Sequence, residues 1–245
     1  MTTPALAQNV KGKGRHYQGA DGELVPSVTN VIGILDKPAL PRWAANEVAK
    51  RAAALKTSLA GMSDADVVDT LKGAPWSKST RAADRGTDIH AYLEHRLNGW
   101  DTPELSSDAL PFKAAADDWY EQVGVNLTEV RTEVTMFTGV YAGTCDLVAM
   151  RDGRWMLADF KTSKAIYDEA ALQLAALAGC LTDADGDRLP WVDDDDMITH
   201  KPALVAVRIG EDGWEEKRVA DLYGTLAAFH SLLRAWHWRH GKAWL

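Results

Sequence analysis

Hydrophobic and polar residues follow two different spacings along this chain. Charged and apolar residues alternate over residues 128–138, which predicts a half-buried strand, and the apolar run at 202–209 predicts a central strand. Over residues 107–123 and 222–239 the apolar residues fall on one face of a helix. The pattern therefore predicts a protein that contains both a sheet and amphipathic helices.

The strongest strand signal lies on either side of Asp152-Gly153. Residues 140–150 and 155–160 are rich in β-branched and apolar residues, which favours strands. Asp-Gly between two such runs supplies the positive φ angles that a short hairpin turn needs. The sequence therefore predicts a tight hairpin in the middle of the chain.

The segments around this hairpin complete the order of elements. Residues 78–97 and 168–180 predict helices, so the order from about residue 80 is helix, three strands, helix, strand, helix. Residues 1–14 are polar and rich in Gly and Lys, which predicts a mobile arm. Residues 16–25 then predict a small hairpin.

Capping residues mark three helices in the first third of the chain. Ser27 is a suitable N-cap for a helix reaching about residue 35, and Pro41 opens a second helix over residues 42–55. Ser63 caps a short helix that ends at Gly73. We expect residues 1–75 to form an N-terminal arm and helical elaboration, and residues 76–245 to form the core.

Two carboxylates stand at matching positions on the predicted hairpin. Asp146 and Asp159 are equally far from the turn centre, so a tight turn brings them opposite each other. Residues two apart in a strand share a face, so Lys161 lies beside Asp159 while Phe160 points into the core. Carboxylates this close repel each other unless a divalent cation binds both. Two oxygen ligands with a neighbouring amine are the equipment of metal-assisted phosphodiester hydrolysis.

The hairpin alone leaves a plainer alternative open, in which Asp159 and Lys161 form an exposed ion pair. The apolar neighbours Leu157, Ala158 and Phe160 argue instead for a strand that lies largely inside the protein.

Composition narrows the function classes. The chain has 245 residues, enough for one sizeable domain, with 46% hydrophobic and 25% charged residues, as in an ordinary globular protein. The net charge is −8, but seven Asp and one Arg between residues 183 and 196 carry −6 of it. A near-neutral remainder argues against strong non-specific coating of DNA and favours local engagement of a strand.

Other sequence features bear on location. No apolar run approaches the roughly 20 residues needed to cross a bilayer, and the N-terminus lacks a hydrophobic signal core. Cys145 and Cys180 are the only cysteines, which fits a reducing compartment. We therefore expect a cytoplasmic protein without membrane contact.

The hairpin residues also carry a family resemblance. Gly143-x-x-Asp146, a turn, and then Asp159-x-Lys161 resemble the core motif of the PD-(D/E)XK nuclease superfamily in its RecB-like, phage-type exonuclease branch. Residues 85–94 are similar to the upstream helix of that branch, and Gln173 matches its downstream Gln motif, although Leu177 stands where a Tyr usually follows. Val25 to Val31 and Leu40 to Trp43 resemble the N-terminal segment of phage-type exonucleases, and the expected location is the host cytoplasm if the protein is phage-encoded.

The resemblance implies a restriction-endonuclease-like α/β core, with a central mixed sheet flanked by helices, and Mg²⁺ or Mn²⁺ as cofactor. It also implies roles for particular residues. The implied catalytic residues are Asp146, Asp159, Lys161, Gln173 and Glu94. The implied metal-site residues are His90, Asp146, Asp159 and the carbonyl of Phe160. The implied substrate-binding residues are Arg81, Arg85 and Lys164.

The implied activity is a metal-dependent deoxyribonuclease that hydrolyses DNA from its ends in recombination, repair or replication. Lys161 would position the attacking water or help to deprotonate it. DNA, as single strands or ends, is the implied partner, with room for a recombination or single-strand-binding protein. Two cysteines cannot supply the four ligands of the iron–sulfur cluster found in some relatives. A structure-specific or restriction-like endonuclease and a non-catalytic nucleic-acid-binding module stay open.

Several single residues keep two interpretations. Glu133 is either a further metal ligand or an exposed strand carboxylate, and it is expected to share a face of its strand with Glu129 and Arg131, opposite the even-numbered residues. Glu94 either orients His90 or is a solvated helix charge. Arg81 and Arg85 either grip phosphates or are ordinary exposed arginines, and the N-terminal helices either cover the substrate strand or only cap the core.

Overall fold

The computed structural model describes residues 6–19 and 22–241. Its strands are β1 (Ala7–Val10), β2 (Gly14–Gln18), β3 (Leu24–Pro26), β4 (Thr128–Phe137), β5 (Ala142–Arg151), β6 (Arg154–Lys161), β7 (Thr182–Asp183), β8 (Ala203–Gly210) and β9 (Gly213–Arg218). Its α-helices are α1 (Val28–Ile32), α2 (Ala39–Ala54), α3 (Lys56–Leu59), α4 (Asp64–Lys72), α5 (Ala74–Asn98), α6 (Lys113–Gln122), α7 (Glu169–Ala178) and α8 (Leu222–His240). Within these residues no helix has both the length and the apolar character to cross a membrane.

The larger sheet is mixed and has six strands in the order β7-β4-β5-β6-β8-β9. Strands β6 and β8 are parallel, because helix α7 carries the chain from one to the other, and the other neighbours are antiparallel. The predicted α/β class with a central mixed sheet between helices is confirmed.

Helices cover both faces of this sheet. On one face α5 and α6 bury Ile89 and Trp119 against Leu147, Phe160 and other sheet residues. On the other face α1, α7 and α8 pack their apolar residues into a second core cluster. Both faces of the central strands are therefore shielded from water, as expected for strands with long apolar runs.

The predicted hairpin is confirmed in its register. Asp152 and Gly153 have φ angles of 54° and 74°, and Leu147 pairs with Ala158. One residue further from the turn, Asp146 lies opposite Asp159. The tight Asp-Gly turn fixes this register because each residue added to one arm is matched by one on the other.

The first residues differ from expectation. Residues 7–10, predicted as part of a mobile polar arm, form β1 and pair with β2 in a small sheet with β3. The reason is a tight turn in which Gly12 and Gly14 adopt φ angles of 75° and 77°. Residues 1–5 of that predicted arm lie outside the described residues.

Helix α2 also begins earlier than predicted, at Ala39 rather than after Pro41. Proline is tolerated there because the first turn of a helix needs no backbone N–H donor. The capping prediction for Ser27 is confirmed, since its hydroxyl accepts a hydrogen bond from the Asn30 N–H at 3.0 Å.

Strand β4 does not alternate regularly as predicted. Val130 packs against the α5–α6 side of the sheet, whereas Val134 and Met136 belong to the opposite cluster. Glu129 and Glu133 have φ angles of 52° and 50°, and the pairing with β5 shifts register near Glu129. The bulge near Glu129 and the positive φ angle at Glu133 interrupt the alternation of the strand, so its even-numbered residues do not share one face.

Candidate active-site cleft

A cleft of about 290 Å³ opens where β4, β5 and β6 meet α5, α7 and the small N-terminal sheet. Most of the titratable side chains that line it belong to residues that the sequence singles out, and β2 and α1 contribute a few further lining residues. Its titratable and amide-bearing lining residues are Arg15, Tyr17, His90, Glu94, Glu133, Asp146, Asp159, Lys161 and Gln173.

Three neighbouring strands each contribute one carboxylate to this cleft. In the β4–β5 pairing, Thr132 lies opposite Leu147, which sets Glu133 opposite Asp146. The hairpin register sets Asp159 opposite Asp146 on the other side. The result is a row of acids across the sheet, with Asp146 in the middle.

Asp146 is held by the backbone of the strand that it faces. Its Oδ2 accepts a hydrogen bond from the Phe160 N–H at 2.7 Å, and only 13% of its side chain is exposed. The same oxygen lies 3.5 Å from His90 Nδ1. Asp146 is therefore a fixed carboxylate that is shared between the imidazole and the acids on both sides.

His90 reaches the row from α5. Its Nε2 lies 2.9 Å from the carbonyl oxygen of Phe160. Because a carbonyl oxygen can only accept, this hydrogen bond requires the proton on Nε2 and leaves the lone pair of the neutral ring on Nδ1, toward Asp146. A hydrogen bond of this kind fixes the tautomer and orientation of a metal-binding histidine.

Glu133 as a whole residue is solvent-exposed, but its carboxylate lies within the cleft beside the other acids of the row. Burial of the carboxylate and repulsion from Asp146 raise its pKa from 4.5 to about 7. One ligand atom each from His90, Glu133 and Asp146 lies within 4.8 Å of the others. The positive φ at Glu133 aims its side chain into the cleft, which a regular strand would not do.

Asp159 has protein partners on both oxygens. Gln173 Nε2 donates to Oδ1 at 2.7 Å, and Lys161 Nζ lies 2.5 Å from Oδ2. The Gln173 side-chain oxygen also accepts from Lys161 Nζ at 3.2 Å. Asp159 is 1% exposed, and burial raises its pKa to about 6 although Lys161 opposes the shift.

Lys161 remains an ammonium ion in this network. Burial alone would lower its pKa, but the charges of Asp159 and Asp146 outweigh that effect and raise the pKa above its ordinary value. Its Nζ lies 2.5 Å from Asp159 Oδ2, so the ammonium is the direct partner of this buried oxygen.

The residues present fit a hard divalent cation. Two carboxylates and one imidazole at ligand spacing form a donor set that could hold a divalent metal ion, and Asp159, paired with Lys161, lines the same cleft. A 2+ charge would also offset the burial and the repulsion from Asp146 that hold the pKa of Glu133 near 7.

Among the sequence-predicted site residues, the structure brings together the catalytic and metal-binding groups. His90, Glu94, Asp146, Asp159, Lys161 and Gln173 all line the cleft, and the Phe160 carbonyl adjoins it through His90. Glu94 lies one helical turn beyond His90 on the same face of α5.

The three predicted substrate-binding cations do not line the cleft. Arg81 is exposed nine residues before His90, on the opposite face of α5 and roughly 13 Å along its axis. Arg85 packs its guanidinium 4.6 Å from the centre of the Phe112 ring and donates to the Thr162 carbonyl at 3.4 Å. Lys164 is exposed in the loop after β6.

The sequence motifs miss Arg15 and Tyr17, which line the cleft from β2. Tyr17 is 1% exposed, and its hydroxyl lies 3.0 Å from Thr144 Oγ1 on β5. No alternation marks this short strand, because its two buried residues, His16 and Tyr17, are adjacent, and only the packing of β2 against β5 shows that it borders the cleft.

Gly143 explains how α1 and α7 come so close to the acid row. A Cβ atom at this position would lie 2.8 Å from Leu177 Cδ2 and 3.1 Å from Val28 Cγ2. Glycine therefore lets both helices contact β5 three residues before Asp146. The leucine found in place of the usual tyrosine fills this contact.

Comparisons with known proteins add little. No family model and no curated protein matches this sequence. Among solved structures, the protein SSO0001 aligns over 61% of this chain and 74% of its own, at 14% sequence identity and a TM-score of 0.28. A likeness at this level carries no argument about fold or activity.

Proposed function

We propose that this protein is a divalent-metal-dependent deoxyribonuclease of the RecB-like PD-(D/E)XK kind, with a restriction-endonuclease-like core, acting on DNA ends. The observation that carries this proposal is the cleft in which one acid from each of three adjacent strands meets an imidazole and a buried ammonium. Such a group serves phosphodiester hydrolysis, because the reaction must gather negative charge on phosphate oxygens and activate water beside it.

Each residue has a distinct part in the proposed reaction. His90, Glu133 and Asp146 would hold the cation, and Asp159, paired with Lys161, lines the same cleft. When bound, a divalent cation supplies Lewis-acid stabilisation of the charge that develops on the phosphate. Lys161, as an ammonium, is suited to orient the attacking water or a phosphate oxygen, and its raised pKa disfavours a role as proton acceptor.

Gln173 acts as a positioning residue in this proposal. Its amide donates to Asp159 and accepts from Lys161, so one side chain fixes both. Groups held in this way lose little rotational freedom when the substrate binds, which favours reaction.

Two features favour an exonuclease. The cleft, at about 290 Å³, lies at the small end of ligand pockets and suits one nucleotide unit of a strand rather than a long duplex surface. The net charge of −8 disfavours extended binding along DNA. A strand end entering the cleft satisfies both conditions.

The test is digestion of end-labelled linear DNA, as single and double strands with 5′ or 3′ labels, in Mg²⁺ or Mn²⁺ with and without EDTA. We expect metal-dependent release of short products from one labelled end and an intact circular single strand. Cleavage of the circle would favour the endonuclease alternative. Cleavage that persists in EDTA, or no cleavage of any DNA with either metal, would overturn the proposed function.

A further inference from the structure

The cleft contains a positively charged side chain, that of Arg15, which has no role in the proposed reaction. Its lining carries four carboxylates but only two residues with permanently positive side chains, Lys161 and Arg15. Lys161 is paired with Asp159. Arg15 has no ion pair with any residue between 6 and 19 or between 22 and 241. An arginine beside four acids that pairs with none of them is available for another anion.

The backbone of Arg15 is fixed although its side chain is free. Its carbonyl oxygen accepts hydrogen bonds from the Ser27 N–H at 3.0 Å and the Asn30 side-chain amide at 3.4 Å. Tyr17, two residues on and therefore on the same face of β2, is tied to Thr144 at 3.0 Å. These contacts hold β2 against β5, two residues from Asp146. The Arg15 side chain is exposed and lines the cleft.

The charge balance of the cleft indicates what this arginine meets. With one divalent cation bound, Lys161 and Arg15 offset the four carboxylates, whereas without Arg15 the cleft presents excess negative charge to an incoming anion. Guanidinium groups bind phosphate through two parallel hydrogen bonds, which suits a position at the edge of a phosphodiester site.

We propose that Arg15 binds a backbone phosphate of the DNA strand adjacent to the linkage being cleaved, and so positions the strand end over the acid row. This inference rests on the proposed nuclease function. It assigns strand recognition to β2 instead of to Arg81, Arg85 and Lys164, and it predicts one charged phosphate contact at a fixed distance from the cut.

The test pairs protein variants with modified DNA. Short single-stranded oligonucleotides carry one neutral methylphosphonate linkage, moved one position at a time along the first linkages from the attacked end. Wild type, Arg15→Gln, Arg15→Lys and the control Arg218→Gln are compared, the last because Arg218 is exposed on β9 outside the cleft. Cleavage gives kcat and KM, and fluorescence anisotropy in Ca²⁺ gives binding.

We expect Arg15→Gln to lower kcat/KM by roughly 10- to 100-fold, mainly through KM, as for loss of a charged hydrogen bond. Arg15→Lys should recover part of the loss and Arg218→Gln should cost nothing. A methylphosphonate at one particular position should lower the kcat/KM of wild type by a similar factor and leave that of Arg15→Gln unchanged. A merely structural role of Arg15 would not produce this difference.

The outcomes separate the two proposals. Two results would overturn the role of Arg15 while leaving the nuclease intact. One is an equal methylphosphonate penalty in wild type and Arg15→Gln at every position, and the other is a kcat/KM for Arg15→Gln within twofold of wild type. Absence of cleavage by wild type would overturn the nuclease. In that event the same position-specific penalty in the anisotropy measurement would still support Arg15 as a phosphate contact, and its absence would reject it.

Discussion

The two sides of Asp146 differ in how their negative charge is neutralised. On the β6 side, Asp159 is almost fully buried but has an ammonium 2.5 Å from one oxygen and an amide donor 2.7 Å from the other. On the β4 side, Glu133 is more exposed but lies near Asp146 and the imidazole of His90, and burial together with repulsion from Asp146 raises its pKa to about 7.

The protein itself neutralises the charge of one half of the site, and in the proposed function a cation neutralises the other half. The β6 side is preorganised, because its charges are paired within the fold before anything binds. The β4 side holds unneutralised acid at ligand spacing, which a cation would relieve. The cation should therefore bind on the β4 side of Asp146, while Lys161 serves the reacting phosphate.

The largest effect is expected at Asp146, which belongs to both sides. Asp146→Asn should lower cleavage by at least about 10³-fold, since it removes a cation ligand and with it several kcal/mol of charge stabilisation. It should also abolish the binding of Mn²⁺ measured by titration calorimetry. The double variant Asp146→Asn, Asp159→Asn should be no slower than the single one, because groups that act as a unit are not additive.

Asp152→Asn is the matched control for this experiment. It makes the same chemical change in the same hairpin, at a turn residue with φ of 54° that asparagine also adopts readily. If Asp152→Asn slows cleavage as much as Asp146→Asn, or if Asp146→Asn retains Mn²⁺ binding, the central place of Asp146 between the two sides is wrong.

The next largest effect separates the two sides. Lys161→Met should slow cleavage by roughly 10²- to 10³-fold, as for loss of a charge-stabilising donor, while Mn²⁺ binding on the β4 side persists. It should also cost about 2–3 kcal/mol of unfolding free energy by leaving buried Asp159 unpaired, less than for a fully buried pair because the Lys161 side chain is 30% exposed. Urea denaturation in EDTA measures this cost.

Adding Asp159→Asn to Lys161→Met tests the cause of that cost. The double variant should regain most of the lost stability, because a neutral amide in place of the carboxylate no longer needs a buried counter-charge. A double variant that is less stable than Lys161→Met would show that the pair is not the unit that the geometry indicates.

The β6 side could be predicted from sequence because its geometry is local. A two-residue Asp-Gly turn fixes the hairpin register, so the meeting of Asp146 with Asp159 follows from counting residues, and strand alternation then places Lys161 beside Asp159. These relations depend on neighbours within twenty residues of the chain.

The β4 side and Arg15 depend on distant contacts. Glu133 lines the cleft at a position with a positive φ angle in a non-glycine residue, which no local pattern specifies and which also makes the predicted alternation of β4 wrong. Arg15 reaches the site because β2 packs against β5, more than a hundred residues away. Arg81, by contrast, is predicted to bind substrate because it lies on the same helix as His90. The rotation of the helix over nine residues puts it on the opposite face from His90.

The smallest effect is the pH dependence of the metal-free protein, and it concerns the β4 side most directly. The pKa values of Glu133 and Asp159 are raised to about 7 and about 6, so between about pH 4 and 7 the folded state holds more protons than the unfolded state. The free energy of unfolding should therefore fall as pH rises through this window and level off above it.

Glu133→Gln should flatten the upper part of this fall. The free energy of unfolding of the variant should match that of wild type near pH 4.5 and exceed it at pH 8, as measured by urea denaturation in EDTA. Glu129→Gln, the same change at a bulge residue of the same strand outside the cleft, should follow wild type throughout. Adding Mn²⁺ at pH 8 should make wild type more stable than Glu133→Gln. The ion binds the ionised carboxylate of Glu133 in wild type and binds the amide of the variant more weakly, so it stabilises the variant less. Parallel pH profiles for wild type and Glu133→Gln, with equal stabilisation by Mn²⁺, would mean that Glu133 is only an exposed strand carboxylate.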